Sequence, residues 1–266
     1  MPTALVTGAT DGIGRLTASL LARGGFNLLL HGRSPARLAA AAASIQAAHP
    51  DLAIRTFCFD LRLLANIRAL AAAVAAEATL DVCILNAGVF PEALQTTPDG
   101  LEETFAVNVA APFVLGNALL PLLRRSPGAR LLFVSSISQM DAEGAHLDLG
   151  NLQAEKGFQK FEAYGRSKLA VAMVAKELAT RVPAAECVIC SCDPGTVNTK
   201  MLIAGWGPCG IDVEEATEEF ELVHNLERGR HGKYFVGLKA TRPHPDVDDD
   251  ARRAALWAAL EGLTRG

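Results

Sequence analysis

A glycine-rich turn sits between an apolar run at residues 4–7 and a helical pattern that opens at Gly12. It reads Thr7-Gly8-Ala9-Thr10-Asp11-Gly12-Ile13-Gly14. Glycine allows a tight turn and lets backbone approach a ligand closely. The helix after it points free amides and the positive end of its dipole at whatever sits in the turn. In this strand–turn–helix context the pattern reads as a dinucleotide pyrophosphate cradle.

The rest of the chain continues the alternation. Apolar runs at 26–31, 53–59, 80–85, 130–134 and 187–192 predict strands. Helical patterns at 12–23, 35–48, 63–78, 101–123 and 161–181 lie between them, and a further one covers 249–263. Gly24-Gly25 stops the first helix. Ser34 is placed to cap the second, with Pro35 at its first position. Pro112 predicts a bend in the long helix at 101–123. Strict β-α alternation with near-continuous apolar strands predicts α/β architecture: one doubly wound parallel sheet, Rossmann-like, with helices on both faces. Right-handed crossovers then put ligands at the carboxyl ends of the strands. The 266 residues and their 50% hydrophobic content fit a single domain over the whole length.

The formal charge of −4 leaves no electrostatic footprint for nucleic acid. Apolar runs break before the ~20 residues that a membrane span needs, and the amino terminus has no signal-peptide pattern. Six cysteines in mostly apolar, strand-like surroundings suit the cytoplasm or another reducing compartment. Cys187 and Cys190 form a C-x-x-C, but on a strand they face opposite sides and act as small hydrophobes. The acidic run at 246–250 reads as a solvated loop.

The end of the second strand bears on the cofactor. An NAD site often has a carboxylate there for the ribose 2′-hydroxyl; this chain has His31-Gly32-Arg33. Arg33 can pair with a 2′-phosphate by charge and forked hydrogen bonds, which favours NADP(H) over NAD(H). Arg37, one helical turn on, either assists or is surface. Asp60 stands either to bond the adenine amino group or to cap a turn.

Tyr164 and Lys168 are four residues apart on one helix face. A neighbouring ammonium is expected to lower the phenol below its usual value near ~10. A proton donor tuned in this way, beside a dinucleotide, points to carbonyl–alcohol redox chemistry.

These elements, in order and at predicted strand ends, resemble the short-chain dehydrogenases/reductases over nearly the full length. The matching residues are 7–14, Asp60-Leu61, Asn86-Ala87-Gly88, Asn108, Ser136, Tyr164-x-x-x-Lys168 and Pro194-Gly195-x-x-x-Thr199. The pattern is similar to the retinol dehydrogenase and protochlorophyllide reductase branch, which carries a long segment between serine and tyrosine; here 28 positions separate Ser136 from Tyr164.

The resemblance implies that Tyr164 is the general acid in reduction and the base in oxidation. It implies that Lys168 assists Tyr164 and bonds the nicotinamide ribose, and that Ser136 bonds the substrate oxygen, with Ser135 and Ser138 as rivals for that part. Asn108 would hold a water linking Lys168 to solvent. The backbone around Pro194, Gly195 and Val197, with Thr199, would hold the nicotinamide carboxamide. Asp11 departs from relatives with a basic residue there, so NADP preference rests on Arg33. A substrate loop or lid is expected at about 200–222, where Met201 and Trp206 either wall the pocket or pack a lid on the core. The implied activity is NADP(H)-dependent interconversion of a carbonyl and an alcohol on a hydrophobic small molecule, in a chain that relatives suggest can form homo-oligomers. Two other readings stand beside it: a catalytically silent nucleotide-binding regulator, and a light-driven ring reductase of the protochlorophyllide type.

Overall fold

The computed structural model describes residues 1–142 and 146–265. Among them runs an eight-stranded sheet ordered β3-β2-β1-β4-β5-β6-β7-β8. Its strands are β1 (Thr3–Val6), β2 (Asn27–Gly32), β3 (Ile54–Cys58), β4 (Val82–Leu85), β5 (Arg130–Val134), β6 (Val188–Asp193), β7 (Tyr234–Val236) and β8 (Lys239–Thr241). All neighbours pair in parallel except β7 and β8. Strand order reverses between β1 and β4, which opens a crevice at their carboxyl ends.

The period-two alternation of side chains sorts the strands into two cores. Leu5, Leu29, Cys83, Leu131 and Ile189 share one buried cluster. It is covered by α3 (Leu64–Ala75), α5 (Ala111–Leu123), α6 (Lys160–Arg181) and α10 (Asp250–Thr264). Ala4, Leu28, Val82, Leu132 and Val188 share the other, under α1 (Gly12–Arg23) and α2 (Pro35–Ala48). Cys187 falls in the first cluster and Cys190 in the second, both as free buried thiols.

Local chemistry sets the element ends. The Ser34 hydroxyl accepts from the Arg37 N–H, with Pro35 opening α2. Gly25, at φ +81°, turns the chain away after α1. The expected bend before Pro112 takes a specific form. After the short α4 (Glu103–Phe105), residues Ala106–Ala110 widen into a π-helical turn that leads into α5. Pro112 has no N–H for the i−4 carbonyl of Asn108, and the wider turn shifts the hydrogen-bond register around that gap. The stretch Glu103–Leu123 is long and apolar enough to cross a membrane, but 78% of its most apolar window is buried inside this fold.

Two expectations are corrected. The sheet does not end at the sixth strand: Val236 and Lys239 pair across Gly237-Leu238, adding an antiparallel hairpin. Each of those strands is three residues long, too short to show periodicity. The acidic run is helical rather than a loop, and although Asp248, Asp249 and Asp250 are exposed, Asp246 is not solvated. Asp246 is fully buried in α9 (Pro245–Asp248), where its carboxylate accepts from Leu147 N–H at 2.6 Å and pairs with His146 at 2.6 Å. Asp249 caps α10 through Arg252 N–H, and Asp250 pairs with Arg253. The reason is tertiary: Asp246 fastens the long segment between Ser136 and Tyr164 to the carboxyl-terminal helices.

Candidate active site

A cleft of about 580 Å³ lies at the carboxyl ends of the parallel strands. Every predicted site residue lines it except Asn108, which stands just behind Gly88.

At the nucleotide end, Gly8 and Gly12 take φ of +71° and +50°, open to glycine with little strain. Gly14 has no room for a side chain: a Cβ there would meet the Gly8 carbonyl oxygen at 2.6 Å. The Asp11 carboxylate caps α1 by accepting from Gly12 N–H at 3.0 Å. The loop is stapled to the end of β4. Asn86 Nδ2 donates to the Thr7 carbonyl at 2.8 Å, and Ala87 N–H donates to the Thr7 hydroxyl at 3.0 Å. His31 supports the loop from below, a role that the motif reading missed. Its Nε2 faces the Phe59 carbonyl at 3.0 Å, an acceptor only, so Nε2 carries the proton and Nδ1 accepts from Gly8 N–H at 3.4 Å. Burial pushes the imidazole pKa down and keeps it neutral. The signal for it was its place at the end of a buried strand beside the loop.

Charge gathers at one rim. Asp11 pairs with Arg37 at 2.6 Å and Lys200 at 2.8 Å, so the departure from a basic residue is offset by two cations. The Lys200 hydrogen bond is the main cause that holds the Asp11 carboxyl below its ordinary range. Arg37 is therefore at the cleft. Asp60 is held by a residue that no sequence motif marks: Arg62 clasps it through Nε at 2.9 Å and Nη2 at 2.7 Å. That bond holds the Asp60 carboxyl low, with a smaller contribution from the Arg33 charge. Arg33 itself is exposed on the cleft wall.

At the chemical end, β5 runs into Ser135-Ser136. Ser135 also lines the cleft, but its hydroxyl is buried and donates to the Lys168 carbonyl at 2.7 Å, which commits it to the helix backbone. Ser136 faces the cleft, accepts from Ser138 N–H at 3.2 Å, and sits close enough to the Tyr164 hydroxyl to lower its pKa. Ser138 lines the cleft as well. Lys168 is buried beneath Tyr164. Its Nζ donates to the Val134 carbonyl at 3.0 Å and lies 5.5 Å from the Tyr164 ring centre. Asn108 occupies the π-helical turn, where Oδ1 accepts from Val89 N–H at 2.8 Å and Nδ2 donates to the Val89 carbonyl and the Ser167 hydroxyl. The widened turn aims this side chain at the loop after β4. Gly195 takes φ +89°, and Thr199 caps α7 (Lys200–Trp206) by accepting from Leu202 N–H.

The tyrosine does not behave as the spacing alone predicts. Its ring keeps some open surface on the cleft, yet surrounding rings strip most of its water. Burial pushes the phenol up to about 12, against the nearby Ser136 hydroxyl that lowers it. The same burial pushes the Lys168 amine down to about 8. Desolvation outweighs the pairing because the amine points at the Val134 carbonyl rather than at the phenol oxygen. Asp193, another residue without a motif to mark it, ends β6 with a largely buried carboxyl raised by burial; it accepts from Gly195 N–H at 3.3 Å and from the Ile137 backbone, tying together the loops on either side of Ser136.

The arrangement can bind an extended dinucleotide along the strand ends and give a proton to an oxygen placed between Tyr164 and Ser136. The cradle fits such a group on its own geometry: glycine backbone where a Cβ has no room, an α1 first turn with no acidic side chain beyond its Asp11 cap, and cations at one rim.

A family model described as short chain dehydrogenase matches residues 2–205. Retinol dehydrogenase 13 of Homo sapiens is 31% identical over 275 residues, covering 96% of this chain and 82% of that protein. Polyprenol dehydrogenase of Mus musculus is 35% identical over 281 residues, covering 98% and 82%. Among solved structures, a short chain dehydrogenase from Escherichia coli CFT073 complexed with NADPH superposes with a TM-score of 0.73 at 26% identity, covering 90% of this chain and 97% of that one.

Proposed function

Because this chain belongs to the short-chain dehydrogenase/reductase family and is an oxidoreductase of CH–OH and C=O groups, we propose that it reduces a hydrophobic aldehyde or ketone with NADPH, using Tyr164 as the proton donor. The observation that carries this reading is the Tyr164–Ser136 pair at the chemical end of the cleft, above a buried Lys168.

A nicotinamide held in this cradle would supply the hydride. The chain's own residues do the rest. Ser136 and the Tyr164 hydroxyl hold the carbonyl oxygen from two sides, where negative charge develops. A phenol near 12 is fully protonated at neutral pH, and an alkoxide is basic enough to take its proton. The phenolate left behind is met by the Lys168 ammonium, which the Val134 carbonyl keeps in place. A phenol held protonated at neutral pH is in the form that reduction needs at the start of the step.

Cofactor choice rests on the rim. Arg33, Arg37 and Lys200 against Asp11 leave a net positive charge on that wall, matched to a 2′-phosphate. Glycine positions without space for a side chain support Gly8, Gly12 and Gly14 as the pyrophosphate cradle, and Asn86 to Gly88 as its far wall. The apolar residues at the mouth, with relatives named for retinol and polyprenol, support a lipophilic substrate.

The test is a screen of lipophilic aldehydes, ketones and alcohols read by nicotinamide absorbance with both cofactors. Turnover of at least one carbonyl is expected with NADPH. Tyr164→Phe should cut kcat by roughly 10²–10⁴ while leaving NADPH affinity within about twofold. Equal loss of both would remove the proton-donor role. Tight NADPH binding with no turnover anywhere in the screen would favour the silent regulator.

A further inference from the structure

Four aromatic rings meet at the substrate end of the cleft. Phe90 lies past the loop after β4, Phe161 and Tyr164 lie on adjacent turns of α6, and Trp206 ends α7. The indole stacks on Phe90 with ring centres 4.8 Å apart and 27° between planes. Phe161 meets it edge-on at 5.1 Å. The Tyr164 ring lies 5.9 Å away at 64°. No residue of α7 is buried, so this stack rather than the core holds the helix down at its far end. The base is pinned separately: the Asn198 amide exchanges two hydrogen bonds with the Gly210 backbone, at 2.7 and 2.9 Å. The approach of α7 to Phe90 needs Gly205, where a Cβ would lie 2.9 Å from the Phe90 ring.

We propose that Trp206 is the specificity-determining residue of this site and restricts it to carbonyls with one small substituent, namely aldehydes and methyl ketones. The proposal rests on the reading of Tyr164 as the proton donor. A carbonyl whose oxygen reaches Tyr164 and Ser136 sends its two substituents to opposite sides. The side toward α7 meets the indole, already in edge contact with the Tyr164 ring. With the two rings already in edge contact at 5.9 Å, a substituent on this side that is larger than a methyl group has to displace the indole. The other side opens past Ile137 and Met201, both on the cleft wall, and takes a long apolar chain. Trp206 thus discriminates by steric exclusion on one side only.

The test compares an aryl aldehyde, benzaldehyde, with a diaryl ketone, benzophenone, by kcat/KM with NADPH. Trp206→Ala should raise the ketone-to-aldehyde ratio by about tenfold or more, the scale of selectivity that a pocket wall provides. Gly205→Ala, which pushes α7 off Phe90 and keeps the indole, should move the ratio the same way by less. Trp206→Phe should recover most of the native ratio. A ratio within twofold of native in Trp206→Ala overturns the proposal.

A binding readout separates this from the redox reading. In a Trp257→Phe background Trp206 is the lone tryptophan of the two in the chain. Its fluorescence is followed as each probe is added to the Tyr164→Phe, Trp257→Phe protein with NADPH. Quenching by benzaldehyde and not by benzophenone supports the exclusion even where the native protein turns over neither, in which case only the redox reading falls. Equal quenching by both, or by neither, overturns the exclusion.

Discussion

Replacing Lys168 with methionine is expected to make the protein more stable while abolishing turnover. The side chain is only 4% exposed, and burial lowers its amine from 10.5 to about 8 despite the nearby Cys192, Glu219 and Asp193, which act the other way. At ~1.36 kcal/mol for each tenfold change in the proton equilibrium, holding this amine charged lowers native stability by about 3 kcal/mol at pH 7. Methionine keeps most of the apolar stem but loses the hydrogen bond to the Val134 carbonyl, a cost of about 1 kcal/mol. The net gain is about 2 kcal/mol, or roughly 5 °C in Tm for a chain of this size.

The pH dependence isolates the cause. A lysine with a lowered folded pKa carries no penalty above its unfolded value of 10.5, and the penalty grows as pH falls below that value and is complete below about 8. The gap between variant and native protein should therefore be nearly full at pH 7 and small at pH 10. Urea unfolding followed by circular dichroism at both pH values measures it. A variant no more stable than native at pH 7, or a gap that persists unchanged at pH 10, would refute the reasoning. Retained turnover would refute the catalytic placement of Lys168.

Arg33→Ala should raise KM for NADPH by roughly 10–100-fold, the range of a lost charge-assisted phosphate contact, and KM for NADH by less than about twofold; an unchanged ratio in steady-state kinetics removes the NADP preference. Glu219, on α8 (Glu218–His224), accepts from the Thr17 hydroxyl at 3.1 Å, and burial raises its carboxyl to about 7. A carboxyl with a raised folded pKa gives stability below its unfolded value of 4.5 that is lost as pH rises through about 7. Glu219→Gln, which can keep the Thr17 bond, should therefore gain about 3 kcal/mol at pH 8 and almost nothing at pH 4.5; equal urea midpoints at pH 8 would count against the buried charge.

Most of the sheet was legible in the chain because its signals are local. Apolar runs about six residues long and helical patterns about a dozen long carry their own periodicity, and the α1, α2 and β5 boundaries agree with the sequence expectation residue for residue. The glycine turn and the four-residue spacing of Tyr164 and Lys168 are likewise properties of short segments. The hairpin of β7 and β8 was not legible, since three-residue strands show no period. The fastening of Asp246 to Leu147 spans 99 positions, and nothing within the acidic run announces it.

The order of residues already set which of them could meet: parallel strand ends bring Gly8, Asn86, Ser136 and Pro194 to one crevice once alternation and handedness are given. What those residues become depends on the assembled fold. It committed the Ser135 hydroxyl to the Lys168 carbonyl and left that of Ser136 on the cleft, set His31 under the glycine loop, and closed Phe90 over Trp206. It also reversed the expected direction for Tyr164, because a pKa depends on the water a group loses, and that loss comes from side chains distant in the chain. Spacing decides which side chains can be neighbours, whereas desolvation and contact geometry are sums over the whole fold.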